Sequence, residues 1–139
     1  MKMERIKIND GTKTYEIVNQ DDEVLGTFTF NPSDSNIIKR YDAVVEALQA
    51  YADEAQGAVL TQEKFNEAQD KITAMMDDLV KGDVRGSFFS ICGPLTPMEN
   101  GNLFVQTVLE GIGAVIEHET KQRIKKIDEK TAKYLAEYQ

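Results

Sequence analysis

Few residues in this chain have the chemistry for catalysis. His118 is the single histidine and Cys92 the single cysteine. Histidine is the commonest general base near neutral pH, and a cysteine becomes a nucleophile when its surroundings favour the thiolate. His118 stands between Glu117 and Glu119 in a charged stretch, the setting of a solvated side chain. Cys92 follows Ile91 in an apolar stretch with no histidine near it in sequence, so it reads as a small buried filler. One cysteine and one histidine do not make a structural zinc site. The doublets Asp21-Asp22 and Asp77-Asp78 have oxygens for Mg²⁺ or Ca²⁺ but lack the alternating ligand spacing of a calcium loop. The first reads as a turn and the second as a solvated helix face. Gly111-Ile112-Gly113 follows no strand and has no lysine after it, so it reads as close helix packing or a kink rather than a phosphate loop. These residues predict no enzyme, no cofactor and no metal.

Composition narrows the classes further. A chain of 139 residues predicts one domain spanning 1–139. Hydrophobic residues make up 41% and charged residues 29%, which fits a folded chain with a core. No apolar run approaches the roughly 20 residues of a membrane span, and Met1-Lys2-Met3-Glu4-Arg5 lacks the apolar core of a secretory signal. A cytoplasmic location without membrane contact is expected. The net charge of −8 disfavours nucleic acid phosphates as partners.

The elements that position these residues follow from periodicity. Ile6 and Ile8 alternate with Arg5 and Lys7, Tyr15 and Ile17 alternate with Glu16, and Val24, Gly26, Phe28 and Phe30 share a face with Leu25 as an exception. Asn9-Asp10-Gly11 and Gln20 to Glu23 separate the runs as turns, which predicts a three-stranded meander. Such a sheet needs a cover over its apolar face. Pro32 bars a continued strand interior, and Ser33 or Asp34 can cap a helix carrying Ile37, Ile38, Tyr41, Val44, Val45, Leu48, Tyr51 and Ala55, ending near Gly57. Thr61 caps a second helix with Phe65, Ala68, Ile72, Met75, Met76 and Leu79 inward, ended by Gly82. Between Tyr41 and Gly82 nine acidic residues face three basic ones.

From Asp83 to Pro97 regular structure gives out. One or two helical turns can form around Phe88 and Phe89 before Gly93-Pro94. Thr96-Pro97-Met98-Glu99 has the form of a capping box, whereas Gly101 favours a short turn and a restart at Asn102. A long helix follows, with Leu103, Phe104, Val108, Ile112, Val115 and Ile116 inward. Phe88, Phe89, Leu103 and Phe104 read as core by their apolar character, yet the glycines and prolines around them make them the expected partner-binding anchors. Past His118 the helix keeps a heptad-like spacing at Thr120, Ile124, Ile127, Thr131, Tyr134 and Tyr138, while Lys121 to Gln139 carries six basic and three acidic residues. So thin a stripe rarely buries within its own domain. This part is expected to project, and Ile124, Ile127, Tyr134 and Tyr138 to mediate self-association into a homo-oligomer. Acidic residues interleaved with its positives argue against a nucleic-acid surface.

Two phrases carry a resemblance: Phe28-Thr29-Phe30-Asn31-Pro32-Ser33-Asp34 leading into Ile37-Ile38-Lys39-Arg40-Tyr41, and Phe88 to Phe104 with Pro94-Leu95-Thr96-Pro97 and Asn100-Gly101-Asn102. In these the chain is similar to small proteins encoded among the tail genes of bacteriophages and prophages of Gram-positive bacteria, and resembles tail assembly chaperones. The resemblance implies a non-enzymatic protein in the bacterial host cytoplasm that binds a tape-measure or tail-tube protein. It would cover an apolar surface of its client while its acidic faces keep the complex soluble. The long basic helix after His118 departs from that pattern. The alternative is a phage-encoded regulator or inhibitor that binds a host protein or a small signal molecule.

The expected fold class is α+β: a small N-terminal antiparallel β-meander (1–30), a helical part (33–118) and a projecting C-terminal helix (119–139). Three or four helices are expected, the last long and partly projecting.

Overall fold

A computed structural model describes residues 2–57 and 61–137 of the chain. Its fold is α+β: an antiparallel hairpin of β1 (Lys13–Val18) and β2 (Val24–Phe30), then α1 (Ile37–Gly57), α2 (Gln62–Val80) and α3 (Phe104–Glu137). A short 3₁₀ turn, Phe88–Ser90, lies between α2 and α3.

The hairpin follows the alternation in the sequence. Tyr15 pairs with Phe28 and Ile17 with Gly26, which puts the aromatic residues on one face, while a bulge at Ile17/Val18 absorbs the out-of-phase Leu25. Asn19 organises the loop: its side-chain oxygen accepts from the Asp21 and Glu23 amides, and Asp22 takes a positive φ of 61°. Phe28 and Phe30 stack at 5.3 Å, and Phe88 closes over Phe28 at 4.5 Å. The sheet is therefore covered by the segment after α2.

The predicted third strand does not form. Residues 2–10 are exposed and unpaired, and the sheet has two strands among the described residues. The turn at Asn9-Asp10-Gly11 is spent elsewhere. Asn9 and Asp10 side chains accept from the Gly11 and Thr12 amides, the Asp10 carbonyl accepts from Asn31, and the Gly11 carbonyl accepts from Arg123.

Helix α1 begins at Ile37, later than a cap at Ser33 or Asp34 would place it, because 32–36 form a turn first. Asp34 accepts from the Asn36 amide and pairs with Arg40, whose guanidinium also donates to the Leu79 carbonyl at the end of α2. Arg40 is 13% exposed, and these partners compensate for removing its charge from water. Pro32 is fully buried, so the turn belongs to the core. Ile37, Val44 and Leu48 are buried, whereas Ile38 and Val45 point outward, making the inner stripe of α1 narrower than the sequence pattern.

Thr61 caps α2 as expected, accepting from the Lys64 amide. The helix closes on Lys81 in the left-handed conformation rather than on Gly82, with the Lys81 and Gly82 amides both donating to the Asp77 carbonyl. Asp77 is not a solvated side chain, because its carboxylate accepts from the Val84 amide and anchors the exit from α2. Asp78 does face solvent, paired with Lys81.

No helix forms at Thr96–Glu99. Pro97 bridges Leu103 across a turn in which Gly101 has φ +86° and the Met98 amide donates to the Asn102 carbonyl. The loop caps α3: the Thr96 and Pro94 carbonyls accept from the Phe104 and Val105 amides, and the Gln106 side chain accepts from the Leu103 amide. This last contact is one half of a capping box, seven residues beyond the place the sequence phrase marks. Val105 and Leu109 join Phe104, Val108, Ile112 and Ile116 in the core, a broader face than the spacing predicts. From Ile124 onward every described side chain of α3 is exposed.

Candidate functional site

A groove of about 640 Å³ runs between the start of α1 and the middle of α3. Buried Ile37 and Ile116 form its floor, and Ile38 and Ile124, 56% and 51% exposed, form its walls. Gly113 opens the space. A Cβ there would stand 3.1 Å from the Tyr41 hydroxyl, so any larger residue makes that side chain give way by a few tenths of an ångström. Tyr41 donates to the Leu109 carbonyl at 2.9 Å, and burial, with help from Glu110 and Asp42, pushes its pKa above the ordinary value.

Most polar side chains at the groove already have partners. Ser33 and Thr120 hydroxyls share a hydrogen bond of 3.0 Å, and Lys121 pairs with Glu117 at 2.8 Å. What remains free is apolar surface, and it continues along α3 to Ile127, 61% exposed. Such a surface can hold an apolar side chain or an amphipathic segment.

Beside it lies a polar cleft where α3 meets the chain before β1. Arg123 donates to the Gly11 carbonyl at 2.8 Å and the Asn31 side chain at 3.1 Å, while Lys13 pairs with Glu119 at 2.9 Å. Gly11 has φ +83°, which favours glycine, and a Cβ on it would meet the Arg123 guanidinium at 2.9 Å and displace it. Lys13, with Arg123 and His118 adding to it, holds the Glu119 carboxyl below its usual range. His118 lines this cleft and is exposed.

Phe88 and Phe104 are not surface anchors. Both are buried in the core, and Phe89 and Leu103 are half-buried against it. The backbone here is irregular yet pinned, with Phe88 capping the sheet and Phe104 starting α3, and this draws the aromatic side chains inward. Ile124 and Ile127 are exposed as expected; the Tyr134 side chain and all of Tyr138 lie outside the described residues. Cys92 is half-buried against the core. Among the described residues no three His, Cys, Asp or Glu side chains gather in a way that would hold a metal ion, and no helix is long and apolar enough to cross a membrane.

Sequence reasoning missed the groove because it assigned Ile38 to the core and Gly113 to packing in general. The signal was present in the tyrosine of Ile37-Ile38-Lys39-Arg40-Tyr41, which needs a small residue opposite it. Comparison with known protein families, curated proteins and solved structures finds no match to this chain.

Proposed function

We propose that this protein is a non-enzymatic, protein-binding factor of the tail assembly chaperone type, acting in the cytoplasm of a phage-infected or prophage-bearing bacterium. Its client would be a tape-measure or tail-tube protein. The observation that carries the reading is the apolar groove at Ile38, Tyr41 and Ile124, which runs out along α3 onto exposed Ile127. An apolar segment of a client laid there buries these side chains, and each gains on the order of 1.5–3 kcal/mol on full burial. The acidic outer faces of α1 and α2 keep such a complex from associating further. Phe89 and Leu103 contribute the half-buried surface that they retain, while Phe88 and Phe104 act by holding the frame.

The alternative is a regulator that binds a host protein or small signal molecule. The groove volume favours its small-molecule form, since about 640 Å³ falls within the size of ligand pockets, roughly 300–1,000 Å³. Ile38→Asp and Ile124→Asp separate the readings. Both residues are exposed, so the variants are expected to melt with the parent while losing co-purification with the tail protein. Retained capture by folded variants removes the groove as the client site. A small molecule that raises the parent's melting temperature but not that of Ile38→Asp favours the regulator.

A further inference from the structure

The segment before β1 has the pattern of a strand and no sheet. Met3, Ile6 and Ile8 are 92%, 87% and 74% exposed, although Ile6 and Ile8 alternate with Arg5 and Lys7 as in a half-buried strand. The β1–β2 sheet has the complementary property. It has two strands, so each outer edge is without a strand partner among the described residues. Open edges of this kind are templates for another strand.

The segment does not reach the edge of its own sheet because of the clamp at residues 9–12. Folding back onto β1 needs a tight turn there. Instead the Asp10 and Gly11 carbonyls are held by Asn31 and Arg123, and the Gly11 and Thr12 amides by the side chains of Asn9 and Asp10. These contacts hold residues 10 and 11 against Asn31 and α3, and residues 2–10 lie exposed and unpaired.

We propose that residues 3–8 add as a strand to the β1–β2 sheet of a second copy of this chain, with the second copy's segment returning the contact. Charge selects this partner. The segment carries Lys2, Arg5 and Lys7 against Glu4, whereas the hairpin carries Glu16 on β1 and Asp21, Asp22 and Glu23 in its loop against Lys13, with no charge on β2. Opposite charges therefore meet when one copy's segment lies on the other's hairpin, and like charges meet when two hairpins or two segments do. Each chain offers one donor strand and one acceptor sheet, so a reciprocal pair closes on itself. Ile6 and Ile8 lose their exposure to water on one face of the added strand.

The test is light scattering of the full chain across concentration and salt, with backbone amide exchange on the same samples. The parent is expected to rise from 15.6 kDa toward twice that mass with concentration, and to fall back with added salt. Alternate amides among residues 4–8 are expected to gain protection in step with the dimer. Ile6→Glu combined with Ile8→Glu is expected to stay monomeric at an unchanged melting temperature, and Ile124→Asp combined with Ile127→Asp to remain dimeric. A parent that is monomeric at the highest concentration overturns the proposal. So does a dimer that survives the Ile6/Ile8 changes, a dimer with unprotected amides at 4–8, or a monomer in which those amides are already protected by its own sheet.

Discussion

The hydroxyl of Tyr41 donates a hydrogen bond to the backbone carbonyl of Leu109 at 2.9 Å, in the interior of a helix whose carbonyls ordinarily serve their own turn. Gly113, one turn on from Leu109, makes room for that ring. The other glycine of the pair, Gly111, has nothing within 4 Å of where its Cβ would be. The two glycines, alike in sequence, should respond differently to the same substitution.

Gly111→Ala should raise stability by about 1 kcal/mol, the difference in helix propensity between the residues. Gly113→Ala has the same propensity gain but forces the Tyr41 ring away and weakens its bond to Leu109. It should be less stable than Gly111→Ala by about 1 kcal/mol or more. Chemical denaturation of the two variants checks this, and equal stabilities would mean that the ring shifts freely.

Tyr15 presents the opposite case. Its hydroxyl is buried and is the one such side-chain atom without a hydrogen-bond partner among the described residues. Burial, then the nearby Glu119 carboxylate, push its pKa up. Tyr15→Phe removes an unsatisfied polar group and keeps the stack on Phe28, so it should melt with the parent or gain up to about 1 kcal/mol. A clear loss would show that the hydroxyl has a partner in solution.

Phe88→Ala and Phe104→Ala should each cost about 3–5 kcal/mol of folding stability, the usual range for a buried phenylalanine. Thermal melting decides it. Near-parental stability would return these residues to the surface role that the sequence suggests.

Acid should loosen two ties, one local at Asp34 and one long-range at Glu119. Asp34 is held below the ordinary value of 3.8 by the Asn36 amide first and the Arg40 guanidinium second, and Glu119 is held below 4.5 chiefly by Lys13. Each folded pKa is depressed, so the stabilisation is fully present above the ordinary value and is lost as pH falls through the folded one. Asp34→Asn should be less stable than the parent near neutrality, and the gap should close in acid. Urea unfolding at a series of pH values reads this, and parallel curves would exclude Asp34 as a source of acid sensitivity.

The helices were legible because α1, α2 and α3 show their periodicity over many turns, and Thr61 is an unambiguous cap. The hairpin was legible from Tyr15, Ile17, Phe28 and Phe30 for the same reason. Ile6 and Ile8 misled because period-two alternation says that a segment can pair, while Arg123, remote in sequence, decides that it does not pair here. Arg123 read as one of six positives on a solvated helix, and nothing local marks it as the residue that reaches Gly11. The groove shares this difficulty, since Tyr41 and Gly113 declare their relation only when α1 and α3 are laid together. The phrase from Phe30 to Arg40 proves to be a structural joint: Asn31 and Ser33 bond to Arg123 and Thr120 of α3, Arg40 bonds to the Leu79 carbonyl of α2, and Pro32 is buried between them in sequence.

Asn31 joins residues separated by 21 and by 92 positions, and Arg123 reaches Gly11 across 112. Contacts of such span bear the full entropy of closing a long loop and belong to the late stages of folding. On the ribosome, β1 and β2 emerge before Phe88 and long before Arg123. Throughout that interval the aromatic face of the hairpin has no lid, which makes this the stage of synthesis at which the nascent chain is most open to aggregation or to capture by a holding factor.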